Sequence, residues 1–177
     1  MTVKKILTAP DPFLKQISKP VDEVTKEIQD LMDDMLDTMY DAPGIGLAAV
    51  QIGVPLRVIV MDISWRNEEG IKEPLYFVNP EITVKTKNLS TYEEGCLSVP
   101  DQYAEIDRPE ECEINFLDYN GKKSTLHAKG LLATCIQHEM DHLEGILFID
   151  HLSNMKRNMI VKKPVSYTHL RAHETQR

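Results

Sequence analysis

Hydrophobic and polar residues follow a helical period over residues 23–41, "EVTKEIQDLMDDMLDTMYD". Apolar side chains recur every three or four positions, and acidic side chains fill the opposite face. The pattern predicts an amphipathic helix whose methionine-rich stripe packs in the protein core. The residues of that stripe are Val24, Ile28, Leu31, Met32, Met35, Leu36 and Met39.

The middle of the chain is predicted to form strands. Residues 57–63 and 75–84 are rich in β-branched and aromatic side chains, which are typical of strands. Residues 111–129 predict a β-hairpin, because two such runs flank an Asn-Gly pair at 120–121. Asn-Gly is the favoured pair for a type I′ turn, so a tight turn of that type is expected there.

A second helix is predicted over residues 130–144, "GLLATCIQHEMDHLE", with Gly145 as a left-handed cap at its end. Ser153 is suited to be the N-cap of a third helix over 154–163. Helices and strands are segregated along the chain and do not alternate regularly. This order predicts an α+β fold.

Composition narrows the range of functions. The formal net charge is −8 at neutral pH, which argues against nucleic-acid binding as the main activity, because phosphates are neutralised by clustered lysine and arginine. No apolar run approaches the roughly 18 residues of a membrane helix. The first residues lack the apolar core of a signal peptide. Three cysteines without an export signal favour a reducing, bacterial cytoplasm.

The second helix carries the strongest chemical signal in the sequence. His138 and His142 are four residues apart, so a helix places both on one face, and Glu139 lies between them. In an H-E-x-x-H motif the histidines bind a divalent metal and the glutamate acts as a general base on a water molecule. The alternative is a solvated helix face on which this spacing is a coincidence.

The third metal ligand separates the classes of enzyme. Metzincin proteases continue the motif to a third histidine, but this chain has Phe148 at the required position. Cys96, in "EEGCLSVP" (93–100), is the better candidate. A thiolate, two imidazoles and a water molecule make a four-coordinate catalytic site. A hydrolase with Cys96 as nucleophile is the alternative, but it leaves the two histidines and Glu139 unexplained.

Three motifs together resemble those of one known family. "GIGLAAVQIG" (44–53), "EEGCLSVP" (93–100) and "QHEMDHLEG" (137–145) occur in this order. With them the sequence resembles the peptide deformylases, most closely the bacterial type, over residues 3–163. The resemblance implies mostly antiparallel sheets around a central helix that carries H-E-x-x-H, with an N-terminal and a C-terminal helix. It also implies removal of formyl from N-formylmethionine of newly synthesised proteins, with release of formate.

The resemblance also assigns catalytic roles to residues of the three motifs. Cys96, His138 and His142 would be the metal ligands. Glu139 would be the general acid and base. The side-chain amide of Gln51 and the backbone N–H of Leu97 would bind the formyl oxygen. The implied metal is Fe²⁺, with Zn²⁺, Ni²⁺ or Co²⁺ as substitutes, because ligand type alone does not select among them.

Further residues are implied to bind the substrate or to support the ligands. An extended peptide would pair with backbone near Ile45, Gly46 and Gly95. The methionine side chain would lie in an apolar pocket formed by Ile45, Leu131 and Cys135, and Cys112 would lie in the core. Glu94 and Arg108 would support a metal-binding histidine. Tyr103 departs from the arginine common in relatives and would alter preference beyond methionine.

The last residues differ in character from the rest. Residues 165–177 contain "VSYTHLRAHET", which resembles the translation of a transposase adaptor used in DNA sequencing libraries. We therefore expect a deformylase domain over 1–164 followed by a non-native tail, and we treat its two histidines as no metal site. The implied partners are N-formylmethionyl nascent peptides and, through the C-terminal helix, the ribosome. No membrane partner and no direct nucleic-acid function are expected.

Two other classes of function remain as alternatives. One is a metallopeptidase that cleaves internal peptide bonds, which the position of Phe148 and the choice of Cys96 as third ligand disfavour. The other is a non-catalytic protein that binds a metal or a peptide, which the presence of both Glu139 and Gln51 disfavours. Release of formate from a formyl-methionine dipeptide would separate all three hypotheses.

Overall fold

The computed structural model describes residues 2–160. Two helices, α1 and α2, and seven strands, β1 to β7, make up most of it, and a third helix, α3, occupies 154–160. Short 3₁₀ turns join some of these elements. The bounds are α1 Lys26–Asp41, β1 Gly46–Ala48, β2 Val58–Met61, β3 Leu75–Lys85, β4 Leu89–Cys96, β5 Val99–Pro109, β6 Glu111–Leu117, β7 Lys123–Lys129 and α2 Gly130–Leu143.

The strands form two antiparallel sheets, as expected for an α+β fold. Five strands pair in the order β1-β2-β3-β6-β7, and β4 pairs with β5 alone. Consecutive residues of β2 alternate between two core clusters, with Val58 and Val60 in one and Ile59 and Met61 in the other. Helix α1 packs on the first face of the five-stranded sheet, and α2 packs on the second. Helix α2 therefore lies between the two sheets.

Helix α1 begins three residues later than the pattern predicted. The Thr25 hydroxyl accepts the backbone N–H of Ile28, which caps the helix at that point. The predicted methionine core is confirmed, since Met32, Met35 and Met39 are fully buried. In helix α3 the Ser153 hydroxyl accepts the N–H of Lys156, as predicted for an N-cap. The remainder of the predicted third helix and the tail 165–177 lie outside the described residues.

The turn between β6 and β7 is not of type I′. Gly121 has a φ of 80°, but Asn120 does not have the positive φ that a type I′ turn requires. The Gly121 N–H donates to the Asp118 carbonyl, and the side chain of Asp118 accepts the N–H groups of Asn120 and Lys122. These side-chain bonds stabilise a longer loop over 118–122.

Gly145 ends α2 as predicted. Its φ is 74°, its N–H donates to the His142 carbonyl, and the N–H of Ile146 donates to the Asp141 carbonyl. A Cβ atom at this position would lie 2.3 Å from the Lys15 carbonyl oxygen. The residue must therefore be glycine for two reasons, its left-handed backbone and its contact with the N-terminal segment. Within the described chain, no helix is long and apolar enough to cross a membrane.

Candidate metal centre and active site

Cys96, His138 and His142 converge as the sequence predicted. Their ligand atoms lie within 4.8 Å of one another, and Nε2 of His142 is 3.3 Å from Sγ of Cys96. Cys96 comes from the end of β4, whereas the two histidines lie one turn apart on α2. The packing of the two-stranded sheet against α2 therefore brings the three donors together.

The donor set fits a divalent transition metal. A thiolate and two imidazoles leave a fourth position open, as in catalytic zinc-type sites. His142 is buried, and burial is the main reason that its pKa lies well below the usual value. A neutral imidazole is the form that binds a metal. The Nδ1 atom of His142 has no hydrogen-bond partner within residues 2–160.

Glu94 orients His138. Its carboxylate oxygen lies 2.9 Å from Nδ1 of His138. Burial would raise the pKa of Glu94, but hydrogen bonds from His138 and Arg108 outweigh it and lower the pKa. An ionised carboxylate can only accept, so Nδ1 of His138 carries a proton and Nε2 is left for a metal.

Arg108 ties this carboxylate to α2. Its guanidinium donates to Glu94 at 2.6 and 2.9 Å and to Asp141 at 2.9 Å. The side chains of Arg108 and Glu94 are only 6% and 5% exposed. Asp141 also lies 2.8 Å from Nε2 of His151. Glu94 and Arg108 thus occupy the supporting positions predicted for them, and Asp141 is an additional member that the sequence analysis missed.

Glu139 lies beside the three donors and is almost completely buried. Burial is the main reason that its pKa is raised, to about 7. Its Oε1 atom has no hydrogen-bond partner among residues 2–160. A Cβ atom on Gly46 would lie 2.6 Å from the other carboxylate oxygen. Glycine at position 46 therefore allows β1 to approach this carboxylate closely.

The orientation of the Gln51 side chain is fixed by three hydrogen bonds. Its Oε1 accepts the backbone N–H of Ala48 at 2.9 Å. Its amide nitrogen donates to the Ser98 hydroxyl at 3.0 Å and lies 3.6 Å from Sγ of Cys96. The donor end of the amide consequently faces the metal centre. Ser98, which also donates its backbone N–H to Cys96, was not identified from the sequence.

A cavity of about 420 Å³ opens in front of these residues. All five predicted substrate-binding residues line it, as do Gln51, Leu97 and Glu139. Those five residues are Ile45, Gly46, Gly95, Leu131 and Cys135. Cys135 is in the cavity wall and outside the metal group, and Cys112 is buried in the core, both as expected. Burial raises the pKa of the Cys135 thiol to about 12.

The outer wall of the cavity contains residues that the sequence analysis did not place there. Arg66 lies in the loop after β2. That loop is held by buried Asp62, which accepts the Tyr40 hydroxyl and the backbone N–H of Glu73. The neighbouring Trp65 donates its indole N–H to the Gly44 carbonyl at 2.9 Å. The loop therefore positions the segment that leads into β1.

Two more residues, Tyr92 and Thr134, also line the cavity without having been predicted. No motif marks them. Thr134 could have been found from its spacing, because it lies three residues after Leu131 and four before His138 on α2. Tyr103 is 64% exposed, and its ring occupies the space beside Gly95, where a Cβ atom would be 2.5 Å away.

Comparisons with known proteins agree with this arrangement. The sequence model of the polypeptide deformylase family matches residues 3–158. A peptide deformylase from Pelagibacter ubique (strain HTCC1062) is 69% identical over 163 residues, which cover 92% of this chain and 94% of the relative.

Solved structures give the same result. A crystal structure of a peptide deformylase from Legionella pneumophila has a TM-score of 0.89 at 44% identity, covering 98% of this chain and 100% of that one. A crystal structure of peptide deformylase from Ehrlichia chaffeensis in complex with actinonin has the same TM-score at 40% identity, covering 94% and 98%. This chain belongs to the polypeptide deformylase family, whose metal-dependent hydrolases remove the formyl group from N-formylmethionine peptides.

Proposed function

We propose that the cavity between β1, the β4–β5 hairpin and α2 is where this chain carries out the hydrolysis typical of its family. In that reaction water adds to the formyl carbon, the C–N bond breaks, and formate and a free amine are released. The observation that carries the proposal is the convergence of Cys96, His138 and His142 beside Glu139, whose buried Oε1 atom has no hydrogen-bond partner within residues 2–160.

Cys96, His138 and His142 are proposed to hold Fe²⁺, with Zn²⁺, Ni²⁺ or Co²⁺ as substitutes. Such a cation, when bound, polarises a carbonyl oxygen and lowers the pKa of water. The chain contributes the geometry, because Glu94 and Arg108 fix the His138 ring while Ser98 and Gln51 donate toward the Cys96 sulfur. Iron is proposed from the family resemblance, since the donor set alone fits several metals.

Glu139 is proposed to move the proton. It would accept a proton from the attacking water and deliver it to the departing amine. Burial favours the protonated form of this carboxyl and raises its pKa, and the buried Oε1 atom has no partner within residues 2–160, so the group is placed to exchange a proton with a water molecule. Its close packing against Gly46 restricts the positions that the carboxylate can adopt.

Gln51 and Leu97 are proposed to stabilise the negative charge that develops on the formyl oxygen. The Gln51 amide donor is already turned toward the site by its bonds to Ala48 and Ser98. Leu97 follows Cys96 directly and lines the same cavity, which supports this role for its backbone N–H. Donors that are fixed before reaction require no reorganisation when the oxyanion forms.

The substrate is proposed to bind as an extended strand. Strand β1 is an edge of the five-stranded sheet, so one side of its backbone faces away from β2 and can pair with a peptide, except at the Ala48 N–H, which is bonded to Gln51. Ile45 and Gly46 would provide these groups on one wall and Gly95 on the other. The methionine side chain would enter the pocket formed by Ile45, Leu131 and Cys135.

A paired measurement of metal content and formate release tests the proposed site. The substrate is a formyl-methionine dipeptide, and the protein is loaded with Fe²⁺ without oxygen. Cys96→Ser is expected to lose both metal and activity, whereas Cys112→Ser, at a buried cysteine outside the site, keeps both. Full activity of Cys96→Ser would contradict the assignment. Cleavage of an ordinary peptide without formate release would favour the metallopeptidase alternative.

The cellular setting is also a proposal. We infer a deformylase domain over 1–164, action on nascent chains in the bacterial cytoplasm, and contact with the ribosome through the helix that begins after Ser153. The absence of a disulfide among the three cysteines, all of which lie in the described residues, and the bacterial relatives support the location. Cosedimentation with ribosomes, for the full chain and for a chain ending at residue 153, tests the contact. Equal binding of the two would contradict it.

A further inference from the structure

The turn that follows α2 packs directly on a proposed metal ligand. This short 3₁₀ turn, Phe148–His151, comes soon after Gly145 ends the helix. Phe148 is fully buried, and its ring is stacked on the His138 ring, with 6.1 Å between the centroids and 25° between the planes. The sequence places Phe148 where a metzincin has its third histidine, and in this fold its ring covers one face of a proposed ligand instead.

The other end of the turn reaches the buried ion pairs. Nε2 of His151 lies 2.8 Å from an Asp141 oxygen, and the Arg108 guanidinium donates to that same oxygen at 2.9 Å. The guanidinium also donates to both oxygens of Glu94. One of these two oxygens lies 2.9 Å from Nδ1 of His138. A continuous chain of hydrogen bonds therefore runs from His151 to the proposed metal ligand.

His151 restricts the position of the Asp141 side chain. Within residues 2–160, the Asp141 carboxylate has two side-chain partners, Arg108 and His151. The carboxylate is 24% exposed, so without the imidazole it could turn toward water. An ionised carboxylate accepts hydrogen bonds, which means that Nε2 of His151 carries the proton of this bond. The imidazole thus keeps the carboxylate against the guanidinium.

The turn limits two different movements of the His138 ring. The hydrogen bond to Nδ1 holds one edge of the ring, whereas the stacked Phe148 ring limits rotation out of the ring plane. The orientation of an imidazole decides where its second nitrogen points, and hydrogen-bonded partners of this kind set the affinity of a histidine for metal. Both contacts therefore bear on how well Nε2 of His138 is aimed at a metal.

We propose that His151 is a positioning residue for the metal centre, because it holds Asp141 in place and thereby fixes the guanidinium that supports His138. The inference rests on the proposed function, since it treats His138 as a metal ligand. His151 acts through other side chains and is not a catalytic residue. Its removal is expected to weaken retention of the metal, because the support of a ligating histidine contributes to metal affinity.

Release of metal to a chelator tests the proposal. The full chain is loaded with Co²⁺, and the loss of its visible absorption is followed after the chelator is added. His151→Ala is expected to release the metal about fivefold faster than the wild type. The effect is modest because His151 and Asp141 are 41% and 24% exposed, and such pairs are weaker than buried ones. His151→Gln retains an N–H donor and should release the metal at nearly the wild-type rate.

His127→Ala is the matched control. The His127 imidazole is 51% exposed and lies 2.7 Å from the Glu111 carboxylate, on the β6–β7 pair and away from the cavity lining. Its removal should leave the release rate unchanged. Asp141→Ala adds a double-mutant cycle. If His151 acts through Asp141, the double variant releases the metal no faster than Asp141→Ala alone.

An unchanged release rate in His151→Ala overturns the proposal, even if the free energy of unfolding falls, because His151 would then only stabilise the fold. A double variant whose effect is the product of the two single effects also overturns it. Failure of the proposed function looks different. Wild-type protein that takes up no Co²⁺ would contradict the metal centre itself. Wild-type protein that keeps its metal but releases no formate would contradict the proposed reaction, and the ratio of release rates would still decide the role of His151.

Discussion

The inner and outer halves of the cavity differ in how firmly their side chains are held. In the inner half, Glu94 and Arg108 are about 95% buried and bonded to groups on β4, β5 and α2. In the outer half, Tyr103 is 64% exposed and Leu131 is 40% exposed. The difference matches the proposed roles, because the reaction requires firmly held groups, whereas exposed side chains in the outer half would contact the rest of the peptide.

Glu139→Gln tests the inner half with the largest expected effect. The amide cannot accept and return a proton, so kcat is expected to fall roughly 10²- to 10⁴-fold while the metal content is unchanged. Formate release and metal analysis on the same sample measure both. Glu144→Gln, at the half-exposed end of the same helix, is the control and should stay active. Comparable activity of the two variants would refute the proposed proton transfer.

Arg108→Met tests whether the inner half is held by its buried ion pairs. Removing the guanidinium leaves the Glu94 carboxylate buried without its main partner, and this is expected to cost about 3–5 kcal/mol of unfolding free energy. Urea unfolding gives the value. Arg57→Met removes a more exposed pair with Glu144 and should have a smaller effect. If both variants lose equally small amounts of unfolding free energy, the ion pairs of Arg108 do not stabilise the inner half of the cavity.

Gln51→Glu tests the proposed oxyanion donor. A carboxylate in place of the amide repels the developing negative charge, and a loss of roughly 10²- to 10³-fold in kcat is expected with metal retained. Gln51→Met removes the donor without adding a charge and should lose less. Steady-state kinetics of both variants, together with their metal content, show whether kcat falls further in Gln51→Glu than in Gln51→Met. Unchanged turnover in Gln51→Glu would exclude the role.

Tyr40→Phe tests the support of the outer wall and has a pH signature. Burial would raise the pKa of Asp62, but hydrogen bonds from Tyr40, Ser64 and Glu73 lower it. A carboxyl with a lowered native pKa stabilises the fold above its unfolded pKa, and this stabilisation is lost as pH falls through the native pKa.

Without the Tyr40 hydroxyl, the native pKa of Asp62 rises. The variant should lose about 1.5 kcal/mol at neutral pH, and its stability should begin to fall at a higher pH than that of the wild type. Urea unfolding between neutral and acidic pH measures both. Tyr76→Phe is the control because, within residues 2–160, the tyrosine hydroxyl that bonds to Asp62 is that of Tyr40 and not that of Tyr76. If the free energy of unfolding fell over the same acidic pH range in Tyr40→Phe and in the wild type, the Tyr40–Asp62 hydrogen bond would not be what lowers the pKa of Asp62.

Tyr103→Ala has the smallest expected effect. Exposed rim residues contribute little, so deformylation of a formyl-methionine dipeptide should change by roughly twofold or less. Longer peptides, which reach past the methionine, should show a larger change in KM. Ile17→Ala, at an exposed site outside the cavity, controls for general surface effects. A strong loss with the dipeptide would show that the outer half takes part in the chemistry.

Local patterns explain what could be predicted from the sequence. The spacing of His138 and His142 on α2, the apolar stripe of α1 and the β-branched runs of β2 and β3 depend on neighbouring residues only. Cys96 was proposed from ligand chemistry, as the thiolate that completes a four-coordinate site, because no spacing rule connects it to His138, 42 positions later. The prediction of a type I′ turn was wrong because the Asp118 side chain accepts the N–H groups of the loop and stabilises a longer turn.

The long strands β4 and β5 were missed for a physical reason. Strand β4 has one fully buried residue, Glu94, and its burial depends on Arg108 in β5. A charged residue at the buried position hides the alternation that normally reveals a strand. Thr134 was overlooked, although its spacing from Leu131 and His138 places it on the same face of α2.

The glycine at the end of α2 also affects how the protein forms during translation. Gly145 packs on the Lys15 carbonyl, and the Leu143 carbonyl accepts the N–H of Ser18, so the last turn of α2 is closed by the N-terminal segment. That segment leaves the ribosome early and α2 leaves late. Contacts this distant in sequence carry an entropy cost of loop closure that must be met before the contact forms, and such contacts slow folding. The metal ligands on α2 are thus among the last parts to reach their final positions, and metal uptake should follow the assembly of the five-stranded sheet.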